Sequence, residues 1–503
     1  MRLGASFDKD RKTVYLVFPV TGWDTEGVTV GLPLPLLLLA GPLVAQGYKV
    51  RILDQRLDRG WREELLRETR EGNVLAVGIT AMTGLQILGG LEAAGVVRDA
   101  DPSVPIVWGG VHPTLLGEQT ASHPLVDAAV VGEGEDVLPA LLDALLADES
   151  PGDVPGIAWR GDDGIVRMPT ELPKAVDLDE LPRPPYHLVD MRRYITTRTL
   201  GERDFLYMAS RGCPHVCTYC FETSEFVNNG WRAPQPEKVV EELMWLRDTF
   251  GITAINFQDD LFFAKKRWVD ELSAVLLDRK VDMTFRADCR VDYAAGMGLD
   301  FFQKVRSAGF KMLFMGVESG SDRILKFIRK YITRQRVIEG MEVLREADIA
   351  PHCSFMAGFP TETMEDVHET IDLMQEVTRI HPNARCSSLQ LYSPYPGTEL
   401  WDWCVDHGLK APESLEEWGC DDWNTADHIW LGDKDRRFLE KAGYFTFFLD
   451  GHTMDEWTRQ NRGMNLMARA YTQVVRARVR RRFYAFMPEL AVLKAVRRKQ
   501  SVL

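Results

Sequence analysis

Twice along this chain, short runs of β-branched and aromatic residues alternate with stretches of helical periodicity, and that alternation restricts the fold more than any other feature. In the first series the strand-like runs fall at 13–18, 49–53, 75–79, 106–108 and 128–131, with helical stretches at 34–46, 61–71, 85–98, 114–122 and 135–147. Strand–helix alternation implies a parallel sheet covered on both faces, and about five such units predict a doubly wound α/β arrangement. A second series starts at 205–209 and continues with strands at 254–258, 283–287, 312–317, 350–356 and 387–392, separated by helices such as 236–250, 266–279 and 363–379. Six units of this kind suit a partial (β/α)6 barrel, with chemistry at the C-terminal ends of the strands. The intervening segment is rich in Pro, Gly and Asp, as in Leu181-Pro-Arg-Pro-Pro-Tyr186, and reads as a linker with one hairpin near 157–166. Beyond Pro396 the pattern turns helical and rich in Trp and charge. The expected divisions are 1–147, 148–200, 201–400 and 401–503.

Composition narrows the classes. With 503 residues, 45% of them hydrophobic, the chain can bury more than one core. The formal charge of −14 argues against a broad phosphate-binding surface, so no nucleic-acid partner is expected. Residues 1–10 carry no apolar segment behind a basic one, and the apolar stretch 32–45 holds three prolines and is too short to span a bilayer. A cytoplasmic protein is expected, in which eight cysteines are not a disulfide framework. Three of them crowd into Cys213-Pro-His-Val-Cys217-Thr-Tyr-Cys220. Clustered thiolates are soft ligands of the kind iron–sulfur clusters take, and three rather than four leave one iron of a [4Fe-4S] cluster open to a reacting molecule. A zinc knuckle would need a fourth Cys or His at paired spacing, and His215 lies inside the triad.

The Cys-x3-Cys-x2-Cys spacing, with Tyr219 before the last cysteine, resembles the signature of the radical S-adenosylmethionine superfamily. The resemblance implies that Cys213, Cys217 and Cys220 hold the cluster, and that S-adenosylmethionine chelates the free iron. One electron from an external donor of flavodoxin or ferredoxin type then yields a 5′-deoxyadenosyl radical. It also implies that Tyr219 lies against the adenine and that Gln258, Asp259 and Asp260 reach the amino group of the cosubstrate. Arg286, Glu318 and Ser319 match positions for carboxylate and ribose, and Gly358, in Gly-Phe-Pro360, and Tyr395-Pro-Gly-Thr398 match adenine-side loops.

In the first series, Val107-Trp-Gly-Gly-Val-His-Pro-Thr114 followed by Val131-Gly-Glu-Gly-Glu135 resembles the Rossmann-like cobalamin-binding domain that precedes radical domains in one class of this superfamily. That resemblance places Gly109, Gly110, His112, Pro113 and Thr114, with Gly132, Glu133 and Gly134, along the nucleotide tail of cobalamin. The loop Thr80-Ala81-Met82-Thr83-Gly84 and on to Gln86 then covers the lower cobalt face. The Asp-x-His-x-x-Gly motif of mutase-type cobalamin domains is absent, and no G-x-G-x-x-G follows the first strand, so a nicotinamide cofactor has little support.

The resemblance implies a cobalamin-dependent methyltransferase acting on carbon, or phosphorus, of a small-molecule or lipid substrate, the alternative being a cyclase or ring-remodelling enzyme. Cys289 and Cys353 read as packing residues, and His112 and His352 invite the same reading. Residues 471–503 carry +8 of a chain whose total is −14, so the remainder carries −22. This basic, amphipathic tail suits docking on the acidic remainder, and peripheral membrane contact is its alternative.

Overall fold

The computed structural model describes residues 12–22, 24, 30–161, 163–198, 200–224, 226–227, 230–420, 428–450, 452, 462–484 and 487. Strands β1 (Thr13–Phe18), β2 (Lys49–Asp54), β3 (Val74–Thr80), β4 (Ile106–Gly109), β5 (Ala128–Val130), β6 (Ile157–Arg160) and β7 (Val166–Arg167) form one sheet, ordered β2-β1-β3-β4-β5-β6-β7. The first five are parallel, and β3 is buried without a break from Val74 to Ile79 because helices cover both faces. The strand order reverses direction between β1 and β3, which places a ligand crevice beyond their carboxyl ends. The hairpin expected in the linker forms, and pairs antiparallel to β5, so the sheet runs on past Ala147.

The apolar stretch near residue 40 is the helix Leu34–Ala45, which buries Leu36, Leu37, Ala40 and Leu43 against this sheet. Among the described residues no helix is long and apolar enough to cross a membrane. One hydrophobic core continues from this helix through Tyr186 and Tyr194 of the linker into the second sheet. Each tyrosine also bonds a carboxylate, Tyr194 donating to Asp54 at 2.9 Å and Tyr186 to Glu242 at 3.1 Å, so the linker is fastened on both sides.

The second sheet comprises β8 (Thr196–Arg198), β9 (Gly201–Tyr207), β10 (Ala254–Phe257), β11 (Thr284–Asp288), β12 (Phe310–Glu318), β13 (Ala350–Ala357) and β14 (Arg385–Cys386). They are ordered β14-β13-β12-β11-β10-β9-β8, and β15 (Gln390–Leu391) also pairs with β13. All neighbours are parallel except the edge pair β8–β9. The single strand expected over 387–392 is thus two short pieces. The Gln390 amide bonds Ser388 through its carbonyl at 3.2 Å and its hydroxyl at 2.8 Å, local bonds that compete with a continuous ladder.

Burial alternates along the curled strands. Phe285, Ala287, Cys353, Phe355 and Ala357 are fully buried against helices, whereas Arg286, Asp288, His352 and Ser354 are partly exposed. Cys289 is buried as well. The C-terminal helices cap the assembly: Trp401 and Trp418 join the core beneath the helix Leu85–Ala100, and Trp418 Nε1 donates to Gln119 at 2.6 Å. In the helix Arg462–Arg480, Val475 and Val479 are fully buried and Arg476 Nε donates to the Leu449 carbonyl at 2.9 Å. Arg482, just beyond it, pairs with Glu365 at 3.0 Å. The described part of the basic stretch therefore docks on the acidic body; the rest of the tail lies outside the described residues.

Candidate active site

The cysteine loop leaves the carboxyl end of β9 and is pinned from the neighbouring strand. The Asp259 carboxylate accepts from Ala209 N at 3.2 Å and from the amide and hydroxyl of Ser210, while Asp260 accepts from Gly212 N at 2.7 Å. Gly212 has φ +83°, and a Cβ there would meet the Gly230 carbonyl oxygen at 2.3 Å, so only glycine passes this point. Burial pushes Asp259 up to about 8, opposed by its three donors. Gln258 and Asp260 are exposed, so of the three residues only Asp259 is buried.

Cys217 is buried, Cys213 and Cys220 are half-buried, and all three are free thiols. Burial pushes Cys220 up to about 12 and raises Cys213. Thiolates here therefore need positive charge. A cluster iron would supply it, as do the buried cations Lys330 and Arg290, both of which feel the charge of Cys217. Among the described residues no three His, Cys, Asp or Glu side chains converge on one metal ion. A four-iron cluster takes one thiolate per iron, so three separated sulfurs on one loop fit its donor set.

Across the mouth, Tyr219 donates to Glu318 at 3.0 Å, and Lys330 Nζ lies 2.9 Å from the same carboxylate and 3.3 Å from the tyrosine oxygen. Glu318 adopts φ +66°, at a register shift where β12 leaves β13. The strained backbone turns its carboxylate back over Gly316, where a Cβ would stand 2.3 Å from Oε1. Ser319 points elsewhere: fully buried, it lies 3.1 Å from the Thr370 hydroxyl and accepts from Ser321 N, which pins the turn. Gly358 and Phe359 give their amides to Glu362, and Trp430 Nε1 donates to the Gly358 carbonyl at 2.8 Å. Arg286 sits one layer below the rim, because β11 runs on to Asp288. Its Nη1 donates to Asn256 at 2.9 Å.

The loops of the first sheet are tied into a single edge. Ala81 N donates to the Gly109 carbonyl at 2.9 Å, His112 N to the Ala81 carbonyl at 3.0 Å, and Gly132 N to the Thr114 hydroxyl at 3.2 Å. Gly110, at φ +95°, leaves 2.8 Å between a hypothetical Cβ and Thr80 Oγ1, so the crevice is lined by bare backbone. Pro113 and Thr114 are buried beneath it, and Gly84 opens the helix Leu85–Ala100. Met82 and Leu85 expose apolar surface at this edge. A backbone cradle with apolar side chains of this kind fits a corrin. His112 is wholly buried, with Nδ1 2.9 Å from Thr83 Oγ1 and its edge on Trp418; burial lowers it to about 4.

The two loop systems meet. Glu133 accepts from Arg211 at 3.2 Å, from Arg232 and from Val176 N at 2.8 Å, and Glu135 also takes Arg211. Gly132 and Gly134 flank this carboxylate against Pro173 and Leu39. Thr83 N meets the Tyr395 hydroxyl at 3.4 Å. Arg211, Arg232, Lys330, Glu362 and Trp430 carry no motif, and their spacing in the chain offers no signal for their parts in the site.

Two family models match in tandem, a B12 binding domain over residues 26–142 and the Radical SAM superfamily over residues 207–374. An uncharacterized methyltransferase of Pyrococcus horikoshii is 30% identical over 443 residues, spanning 87% of this chain and 92% of that one. The anaerobic magnesium-protoporphyrin IX monomethyl ester cyclase of a Synechocystis species is 28% identical, spanning 65% of this chain and 64% of the cyclase. Among solved structures, the cobalamin-dependent radical enzyme OxsB, with aqua-cobalamin and S-adenosylmethionine bound, superposes at a TM-score of 0.73. Its identity is 16%, over 97% of this chain and 75% of that one, which shows a shared fold. The tandem of domains defines a cobalamin-dependent radical enzyme using a [4Fe-4S] cluster, S-adenosylmethionine and cobalamin. Within that class the chain belongs to the family of cobalamin-dependent radical S-adenosylmethionine methyltransferases.

Proposed function

We propose that this enzyme methylates a carbon, or phosphorus, centre of a small-molecule or lipid substrate, with both cofactors facing one shared chamber. The observation that carries the proposal is the contact between the two loop systems, with Glu133 and Glu135 clasping Arg211 and Thr83 meeting Tyr395. Bound at these loops, the cluster and cobalamin would supply reductive cleavage of S-adenosylmethionine and a transferable methyl group, respectively.

The protein's own residues do the placing. Cys213, Cys217 and Cys220 would hold the cluster, and Lys330 and Arg290 would offset its negative charge. Gln258, Asp260, Tyr219, Glu318 and Gly358 would line the cosubstrate side, with Asp259 acting behind them by pinning the cysteine loop. Gly109, Gly110 and the loop Thr80–Gly84 would hold cobalamin, with the exposed Met82 offering it apolar surface. The test is product analysis with S-adenosylmethionine, cobalamin and a strong reductant. Equal amounts of S-adenosylhomocysteine and 5′-deoxyadenosine are expected; 5′-deoxyadenosine alone would replace methyl transfer with the cyclase or ring-remodelling chemistry that the Synechocystis relative suggests.

A further inference from the structure

From Arg462 to Tyr484 the chain carries seven arginines and no Asp, Glu or Lys, a charge of +7 that leaves −21 for the rest of a chain whose total is −14. Attraction to the acidic body is expected of such a segment, yet the body takes only one face of its helix. Thr472, Val475 and Val479 are buried, the Gln375 amide donates to the Arg476 carbonyl at 2.9 Å, and Arg482 pairs with Glu365. At about 100° per residue, Leu466, Ala470, Val474, Ala477, Arg480 and Arg481 fall within an arc of about 120° on the opposite side. There Leu466 is 71% and Val474 45% exposed, and the exposed Arg480 and Arg481 enter no ion pair among the described residues.

The end of the helix adds to this outer face. Arg482 N donates to the Val479 carbonyl and Phe483 N to the Arg478 carbonyl, each at 3.0 Å, with Arg482 at φ +48° in the place where such a turn usually has glycine. The turn brings Phe483, 51% exposed, beside Val474, Ala477 and Arg481 along one open groove. A helix face turned to water normally carries charges of both signs, whereas this one carries apolar side chains flanked by arginine alone.

We infer that this outer face rests on an anionic lipid surface, with Leu466, Val474 and Phe483 at the acyl boundary and Arg480 and Arg481 on headgroup phosphates. Guanidinium forks suit phosphate oxygens, and a lipid interface gives the apolar side chains a partner as well. A nucleic-acid backbone would engage the arginines and leave Leu466, Val474 and Phe483 in water. Since no described helix is long and apolar enough to cross a membrane, the contact of this helix is peripheral. The inference stands apart from methyl transfer, and its test needs no turnover.

The test is flotation of the full-length reconstituted enzyme with vesicles of about one-third phosphatidylglycerol in phosphatidylcholine, pure phosphatidylcholine vesicles being the control. Wild-type protein should float with the anionic vesicles only, and raising salt from about 0.1 M to about 0.5 M should release most of it. Arg480→Gln with Arg481→Gln, and separately Leu466→Ser with Phe483→Ser, should each weaken binding about tenfold or more. Lys280→Gln with Lys311→Gln, the same charge change at exposed sites elsewhere on the chain, should leave it within about twofold. All three pairs should keep the wild-type melting temperature and iron content; should one of the first two fail to fold, the other still decides. Failure to float, equal floating on neutral vesicles, or an equal loss in the lysine pair would overturn the inference. Preference for a DNA duplex or for polyglutamate over the vesicles would overturn it too, by giving this face to an acidic macromolecule.

Discussion

The two parallel sheets are written in the same strand–helix alphabet and bury it in opposite ways. Along β3 six consecutive residues are buried, because helices press on both faces and neither face is spare. Along β11 and β13 every second residue opens on the lumen, because the curl has helices on its convex side only. A flat, covered sheet can bind a ligand only beyond its strand ends, where the first domain offers the bare backbone at Gly109 and Gly110. A curled sheet keeps a concave face, so the second places side chains along the depth of its site. Position relative to the strand end thus means different things in the two halves.

Four experiments bear on that contrast. The largest effect belongs to Cys217→Ala, which removes the buried thiol proposed to hold the cluster at the barrel mouth. Cluster absorbance and S-adenosylmethionine cleavage should both vanish while cobalamin, held by the other sheet, is still retained on gel filtration. Next, Ile79→Ala in β3 should lower unfolding free energy by about 2–5 kcal/mol, whereas Ser354→Ala on the inner face of β13 should change it by less than about 0.5 kcal/mol, read by denaturant titration. Similar losses at the two positions would erase the distinction between a filled and a hollow sheet.

Third, Glu133→Gln leaves Arg211 and Arg232 short of a carboxylate in a buried setting and should cost about 1–3 kcal/mol. Because the clasp joins both halves, this one substitution should weaken cobalamin retention and lower iron content together; a change in only one would show that the halves act separately. The smallest effect is a pH slope. Folding holds His112 near 4 against an ordinary value of 6.5, so the neutral form is favoured in the fold. Its contribution is complete above about 6.5 and is lost as pH falls from there through about 4, reaching about 1 kcal/mol near pH 5.5. His112→Gln should flatten that slope in thermal melts.

Much of this was legible along the chain. The alternation of strand-like and helical runs located nearly every strand of both sheets, and the spacing of Cys213, Cys217 and Cys220 pointed to the radical family that the family model matches, because three thiols on one loop are a local property. The broken strand after Cys386 was not legible, since an apolar run does not reveal that Ser388 will capture the Gln390 amide. Asp259 and Ser319 show a second limit. Both lie in rim motifs, yet their side chains bond backbone and neighbouring hydroxyls, a direction set by the fold around them.

What the sequence alone determined is the set of parts: two βα series, a thiolate loop, glycine-lined turns and a basic end. Tertiary structure alone decided which parts meet. Arg211 finds Glu133 from 78 residues away, and Lys330 reaches Tyr219 across 111. Arg286, His352 and Arg385 share one inner face only because the four strands β11 to β14 curl side by side. Local periodicity is written by backbone geometry over a few residues, while these encounters depend on how whole sheets pack, and no short stretch of chain carries that.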